Sequence, residues 1–157
     1  MANLTQEEIT ALVAKLKKFP YLCQLDDITL GPLTSAPTIA GETETKDVTL
    51  YETLEDVQAS FLTKNDVRIT LKCRDVDAAM GLLGRIKKSD NLMDEKFRHT
   101  LVLVPITDAT EKSITFGNAY LQPGLNVTPA SGDTPTDVEL VFLCKADAES
   151  GVPFVYA

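Results

Sequence analysis

The side chains that could perform chemistry are few in this sequence and far apart. The sequence has one histidine, His99, and three cysteines, Cys23, Cys73 and Cys144. Their total equals the four ligands of a structural zinc ion. The cysteines are 50 residues apart (23 to 73) and 71 residues apart (73 to 144), and none belongs to a C-x-x-C pair. Because zinc sites are built from closely spaced ligand pairs, the sequence predicts no metal. Cys73 and Cys144 lie in alternating apolar segments and are predicted to be small core residues.

Residues for nucleophilic catalysis, phosphate binding and calcium binding do not form the required patterns. His99 directly follows Arg98, and a lone histidine at the start of a strand is more often structural or exposed than a base. No G-x-S-x-G elbow identifies a nucleophile. The segment Gly81-Leu82-Leu83-Gly84 lacks the Lys and Ser/Thr of a phosphate-binding loop, and the acidic residues lack calcium-loop spacing. We therefore expect no catalytic residue, no cofactor and no metal, and a protein that is not an enzyme.

The charge balance argues against two classes of partner. The 157 residues include 23 acidic and 15 basic side chains, which gives a net charge of −8. Proteins that bind nucleic acids or dock on anionic membranes need clustered Lys and Arg. The chain has no run of about 18 apolar residues and begins without a basic or apolar stretch, so neither a membrane span nor a secretory signal is expected. An odd number of cysteines fits a reducing compartment.

The elements that position these residues begin with a helix. Thr5 and Glu8 have the spacing of a capping box, and Pro20 ends the helical segment. The apolar residues between them, at i, i+3, i+4 and i+7, are Ile9, Leu12, Val13 and Leu16. Residues 1–22 are thus predicted to be a helical arm, which either packs on its own domain or docks on a neighbouring subunit.

Most of the remaining chain alternates apolar and polar residues, as half-buried strands do. The clearest strand runs from Val67 to Cys73, and Asn65-Asp66 before it is predicted to be a turn. Asp75 to Ser89 is predicted to be a helix whose apolar residues are Val76, Ala79, Met80, Leu83 and Ile86. About seven or eight strands are expected, over residues 28–33, 48–51, 57–61, 67–73, 101–106, 113–116, 138–144 and 153–156. We predict an α+β fold that is mostly β, namely an antiparallel β-sandwich or small barrel with one packed helix and an N-terminal helix.

The segment from Thr34 to Lys46 differs from the strands on either side. It contains one large apolar residue, Ile39, and alternates Glu and Thr near its end. The composition indicates either a long polar loop or an extended, exposed hairpin. Loops of this length are uncommon inside compact domains and are often functional.

The last third of the chain resembles the closing strands of bacteriophage tail tube proteins. The resemblance is carried by the segments Ile114 to Val127, Thr134 to Phe142 and Gly151 to Phe154. The first segment contains a strand with Phe116 and the sequence Asn118-Ala119-Tyr120-Leu121. The second contains a regular strand, and the third begins a final hairpin with a glycine. The preceding part of the chain also has the element order of these proteins, namely a first strand, a long loop, further strands and a single helix. The resemblance covers most of residues 26–157, which would form one tail-tube-like domain.

If this resemblance holds, it implies a structural protein of the virion tail, made in the cytoplasm of a bacterial host. Six copies would form a ring, and stacked rings would form a tube that conducts DNA without binding it tightly. Other tail proteins would be partners, and membranes would not. The long loop would contact the adjacent subunit or ring, which makes its residues the candidate subunit interface: Thr34, Pro37, Ile39, Glu42, Glu44 and Lys46. Some of the acidic residues would line the channel and repel the DNA backbone.

Other functions remain open at this point. A different tail component of related fold, such as a tail terminator, a distal tail protein or a secretion-tube subunit, would share these features. A monomeric β-sandwich that binds a protein ligand through its loops is a second alternative. An enzyme of unrecognised type is a third, and His99 would be its candidate base.

Overall fold

The computed structural model of the protein describes residues 3–15, 20–49, 57–106 and 111–157. Two α-helices are present, α1 (Gln6–Ala14) and α2 (Val76–Leu83), and a 3-10 turn covers Glu95–Phe97. The described residues contain nine strands: β1 (Tyr21–Leu25), β2 (Ile28–Leu30), β3 (Thr38–Thr49), β4 (Val57–Cys73), β5 (Arg98–Pro105), β6 (Ile114–Leu121), β7 (Val127–Thr128), β8 (Asp137–Cys144) and β9 (Val155–Tyr156).

All the strands belong to one antiparallel sheet. The main path is β2-β1-β5-β6-β8-β4-β3, with β7 beside β8 and β9 beside β6. Every neighbouring pair is antiparallel. The prediction of an α+β fold that is mostly β is therefore confirmed. No helix within the described ranges is long and apolar enough to cross a membrane.

The sheet curls because the chain that leaves β2 returns to β4. The Thr34 N–H donates to the Lys72 carbonyl and the Arg74 N–H donates to the Pro32 carbonyl, each over 2.8 Å. Leu33 and Cys73 form the bridge between these bonds. Since β2 is one end of the sheet path and β4 is next to the other end, these bonds bring the two ends of the open sheet close together.

Alternate residues of β4 and β8 are buried and form part of the core. In β8, every second residue from Val138 to Cys144 is buried, and the same holds from Val67 to Cys73 in β4. All three cysteines are buried, which confirms the prediction for Cys73 and Cys144.

Helix α2 covers part of this core. The Asp75 carboxylate accepts the Ala78 N–H over 3.3 Å, which caps the helix. Ala79 is fully buried, but Met80, which was predicted on the apolar face, is 41% exposed. The helix ends at Leu83 instead of continuing to Ser89, and Gly84 is its C-cap. A Cβ at Gly84 would lie only 3.1 Å from the Met80 carbonyl oxygen, so the close approach there favours glycine.

One prediction around β4 is wrong, and one pair of alternatives is resolved. Asn65-Asp66 is not a turn, because β4 is one strand of 17 residues. Asp66 is only 4% exposed, and its carboxylate accepts bonds from Lys145 Nζ at 3.0 Å and the Ala146 N–H at 3.4 Å. Of the two interpretations of residues 34–46, the extended hairpin is the one observed, since residues 38–49 pair along β4. The final residues of the predicted 48–51 strand lie outside the described ranges.

Helix α1 has the predicted start. Thr5 accepts the Glu8 N–H over 3.2 Å, and Glu8 accepts the Thr5 N–H over 2.7 Å, so the capping box is present. Every described residue from 3 to 15 is exposed, including the apolar Ile9, Leu12 and Val13. Leu16, the last residue of the predicted stripe, lies outside the described ranges. The described helix therefore leaves its apolar side unburied.

Candidate functional site

The most distinctive surface is a two-stranded extension of the sheet, formed by residues 41–49 of β3 and 57–66 of β4. We call it the β-ribbon. β3 pairs with β4 along its whole length, whereas β8 pairs with β4 only from Val67 to Cys73. Among the described residues, no strand pairs with the β-ribbon on its β4 side, and β3 is an edge strand. The ribbon thus extends past the end of the neighbouring strand β8.

The sequence of the β-ribbon favours strand pairing even though it buries little. β3 contains Thr43, Thr45, Val48 and Thr49 in the ribbon, and β-branched and aromatic residues fit a pleated surface well. Directly opposed pairs include Lys46 with Phe61 and Val48 with Ala59, which share one face of the ribbon. A bulge between Glu44 and Thr45 adjusts the register.

Large apolar side chains of the β-ribbon lie in solvent. Phe61 is 58% exposed and Leu62 is 54% exposed, on opposite faces, and Val48 is exposed next to Phe61. An isolated two-stranded hairpin is marginally stable in water, and clustered exposed apolar side chains mark interaction surfaces. The arrangement is suited to packing against another protein surface on both faces.

Charged and polar contacts hold the base of the β-ribbon. Glu42 Oε1 lies 2.5 Å from Arg68 Nε, and Glu42 Oε2 lies 3.7 Å from Lys64 Nζ. The hydrogen bond from Arg68, assisted by the charge of Lys64, lowers the pKa of Glu42. Further out, Ser60 Oγ donates to Asp47 Oδ1 over 2.6 Å. Ser60 is directly opposite Asp47, whereas Arg68 and Lys64 are the diagonal neighbours of Glu42 across the strand pair. Such cross-strand pairs favour one register.

The six predicted interface residues divide into three groups. Glu42, Glu44 and Lys46 alternate along β3 and share one face of the β-ribbon. Ile39 has the opposite orientation and, with Pro37, lines an apolar cavity of about 570 Å³. Thr34 precedes β3, and its Oγ donates to Asp137 Oδ2 over 3.3 Å. The structure therefore brings three of the six together on the ribbon, and the apolar ribbon residues Phe61 and Leu62 were not among the predicted six.

A second cluster joins the β1–β2 turn to β5. Asp26 and Asp27 have φ values of 50° and 67°, which suits a two-residue hairpin. Asp26 Oδ2 lies 2.6 Å from His99 Nδ1, and Asp26 Oδ1 accepts the Thr100 N–H over 2.9 Å. The His99 ring is buried, edge-on to Phe142 at 6.4 Å between centroids. Burial raises the pKa of Asp26, but the hydrogen bonds from Thr100 and His99 outweigh it, so the net pKa is lowered.

This pair resembles the base and its orienting carboxylate in hydrolytic triads, but the third member is not beside it. The adjacent cavity, of about 280 Å³, is lined by apolar residues of β1, β2 and α2 together with Asp26, Asp77, Arg85 and His99. No hydroxyl or thiol side chain is among these lining residues. The pair therefore secures a turn to a strand, as a structural histidine does. The sequence signals were the Asp-Asp turn and the alternation of His99 with Leu101 and Leu103.

The cysteines are not placed for nucleophilic or metal chemistry. Burial raises the pKa of Cys23 and of Cys144 to about 12, and it also raises the pKa of Cys73. The thiols are therefore neutral at physiological pH and poor nucleophiles. Within the part of the chain that the structure describes, no three His, Cys, Asp or Glu side chains are grouped as metal ligands.

Comparison with known proteins adds no relative from which a function could be transferred. No protein-family model matches this sequence, and a search of curated proteins gave no match. Function therefore has to be inferred from the surfaces of this chain, of which the β-ribbon is the most unusual.

Proposed function

We propose that this protein is a self-assembling structural subunit of a bacteriophage tail tube, the function that its sequence resemblance implies. The observation that supports the proposal most directly is the β-ribbon, which exposes Phe61 and Leu62 past the end of β8. In a monomer such a ribbon would expose apolar surface and a free strand edge, which are liabilities for solubility. In a ring, each ribbon can pack on the adjacent copy, and closure leaves none uncovered.

In this proposal one face of the β-ribbon combines charged and apolar contacts. The face with Glu42, Glu44 and Lys46 is mixed in charge, and its ion pairs with Arg68 and Lys64 order the base of the ribbon. Phe61 lies further out on the same face and supplies apolar contact area. Apolar anchors surrounded by polar residues are the usual composition of an interface.

The net charge suits a conduit for DNA. With 23 acids against 15 bases, the chain has no general attraction for phosphates. An acidic channel wall would repel the DNA backbone over a Debye length of about 8–10 Å and so prevent tight binding during passage. Under this proposal the protein is located in the virion tail, where it contacts its own copies and other tail proteins.

The proposal is tested by the assembly state of the full-length protein. We expect light scattering to detect oligomers that grow with concentration, and negative-stain microscopy to show rings and stacked rings of constant diameter. Phe61→Ser should raise the concentration needed for assembly at least about tenfold, since a central aromatic contact contributes about 2 kcal/mol or more. Leu125→Ser is the matched control, because Leu125 is 66% exposed but lies outside the β-ribbon; it should assemble like the wild type.

Other outcomes distinguish the alternatives. A wild-type protein that stays monomeric at high concentration would overturn the proposal and favour a monomeric binding module. Single rings that do not stack would favour a tail terminator over a tube subunit. Equal effects of Phe61→Ser and Leu125→Ser would mean that the β-ribbon is not the assembly surface.

A further inference from the structure

An apolar groove lies next to the first residues of β3. It is on the face of β3 opposite to the charged face of the β-ribbon. It has a volume of about 570 Å³ and is formed by the start of β1, the segment 31–37, the start of β3 and the residues Leu103, Ile106 and Ile114. None of its lining residues is charged. Ile39 and Ile106 are exposed at the groove, so its apolar lining is accessible from solvent. A groove of this size, about 300–1,000 Å³, accommodates several apolar side chains.

The same chain contains an amphipathic helix whose apolar side is not buried. In α1, Ile9, Leu12 and Val13 are all exposed and lie on one side of the helix, while Glu7 projects on the other. The capping box fixes the start of the helix. Yet a nine-residue helix is marginal in water unless its apolar side packs against something. Helix α1 therefore needs a partner surface that is apolar and uncharged, which is the character of the groove.

From these two surfaces we infer that α1 of one copy docks in the apolar groove of a second copy. The inference rests on the self-association in the proposed function and assigns one contact within it. Three aliphatic side chains at i, i+3 and i+4 meet a groove without charged lining residues, and Glu7 stays in solvent, which is how amphipathic helices bind grooves. The groove includes Pro37 and Ile39, which lead directly into the strand of the β-ribbon. A neighbour held by the ribbon is thus beside the groove.

The docking can be tested by disulfide trapping, because the three native thiols are buried. Two full-length variants, Ile9→Cys and Ile106→Cys, are mixed, oxidised and analysed on non-reducing gels. Both positions are exposed, so neither substitution should disturb the core. We expect a covalent dimer between the two variants, with a yield that approaches the limit of about half of the chains set by random mixing in a closed ring. Glu7→Cys mixed with Ile106→Cys is the matched control, and it should give at least about fivefold less dimer because Glu7 lies on the opposite side of α1.

A second variant tests the apolar contact by competition. Excess wild-type protein, which has no engineered cysteine, should inhibit crosslinking in the Ile9→Cys and Ile106→Cys mixture. Excess Leu12→Glu protein should inhibit it less, because its α1 no longer competes for the groove. Equal dimer yields for the Ile9 and Glu7 variants would overturn the inference. So would a double variant, Ile9→Cys with Ile106→Cys, that forms only an intramolecular disulfide, because α1 would then occupy its own groove.

The results separate this inference from the proposed function. If microscopy shows rings but the specific crosslink is absent, the tube proposal stands and the docking of α1 is wrong. If the specific crosslink forms but neither rings nor tubes appear, α1 exchanges between copies in an assembly of another kind.

Discussion

At the scale of single residues, the Asp26 carboxylate connects three parts of the molecule. It lies in the β1–β2 turn, accepts the Thr100 N–H of β5 and holds the buried His99 ring. Because an ionised carboxylate only accepts hydrogen bonds, the Nδ1 atom of His99 carries the proton in this contact. His99 in turn packs edge-on to Phe142 of β8. A polar contact at the surface thereby fixes a ring at the edge of the core.

Replacing this carboxylate should destabilise the fold in a pH-dependent way. Asp26→Asn keeps the shape of the side chain but weakens two charge-assisted hydrogen bonds. Since the side chain is about half exposed, we expect the free energy of unfolding at pH 7 to fall by about 1–2 kcal/mol. Asp27→Asn is the matched control with the same backbone conformation, and it should change the free energy by less than about 0.5 kcal/mol.

The sign of the pH dependence follows from the lowered pKa of Asp26. The two hydrogen bonds stabilise the ionised Asp26 carboxylate. Their contribution to the free energy of unfolding is therefore fully present above the ordinary pKa of 3.8, and it is lost as the pH falls through the lower pKa of the folded state. Urea unfolding between pH 7 and pH 2.5 should show the wild type and Asp26→Asn converging at the acidic end. A difference in stability that persists unchanged to the lowest pH would contradict this account.

At the scale of elements, the sequence predicts best where structure depends on local patterns. The capping box of Thr5 and Glu8, the cap at Asp75 and the alternation of β8 are all present because their causes lie within a few residues. The continuity of β4 through Asn65-Asp66 was missed because both turn-forming residues have partners far along the chain. Asp66 is paired with Lys145, and Asn65 donates to the Gly151 carbonyl. Local preference is overridden there by a contact that sequence spacing does not reveal.

The candidate site was only partly predictable for the same reason. The segment containing Glu42, Glu44 and Lys46 was identified by its length and polarity, and the structure places these residues on one face. The exposure of Phe61 and Leu62 was not predictable, because it depends on where β8 stops pairing with β4. Strand alternation indicates two faces, but it does not indicate whether a neighbouring strand covers them.

Asp66 is the residue on which the continuity of β4 can be tested. Asp66→Ala removes the acceptor of Lys145 and of the Ala146 N–H, both next to the end of β8. Because Lys145 can still reach water, we expect the free energy of unfolding to fall by about 1–3 kcal/mol. This is less than the cost of leaving a fully buried charge without a partner. Asp47→Ala, an exposed carboxylate on the β-ribbon, should cost less than about 0.5 kcal/mol in the same urea titration. Equal losses for the two variants would show that Asp66 does not hold β4 in place.

At the scale of the whole molecule, two apolar surfaces are exposed on a strongly acidic chain. The β-ribbon and the proposed pairing of α1 with the apolar groove would favour association, whereas a charge of −8 per copy opposes it. The apolar contribution depends little on low concentrations of salt. The repulsion is screened as the Debye length falls from about 30 Å at 0.01 M salt to about 10 Å at 0.1 M. Salt therefore distinguishes the two contributions.

Raising the salt concentration should therefore promote assembly. Between 0.01 M and 0.15 M sodium chloride, we expect the protein concentration at half-assembly to fall about threefold to tenfold, measured by light scattering with microscopy to confirm ring shape. For Phe61→Ser, the protein concentration at half-assembly should be higher than for the wild type at every salt concentration. It should fall by the same factor as salt rises, because the substitution removes apolar contact and no charge. Assembly that weakens as salt rises would mean that attractive ion pairs between copies dominate, and it would contradict an interface built on the apolar β-ribbon.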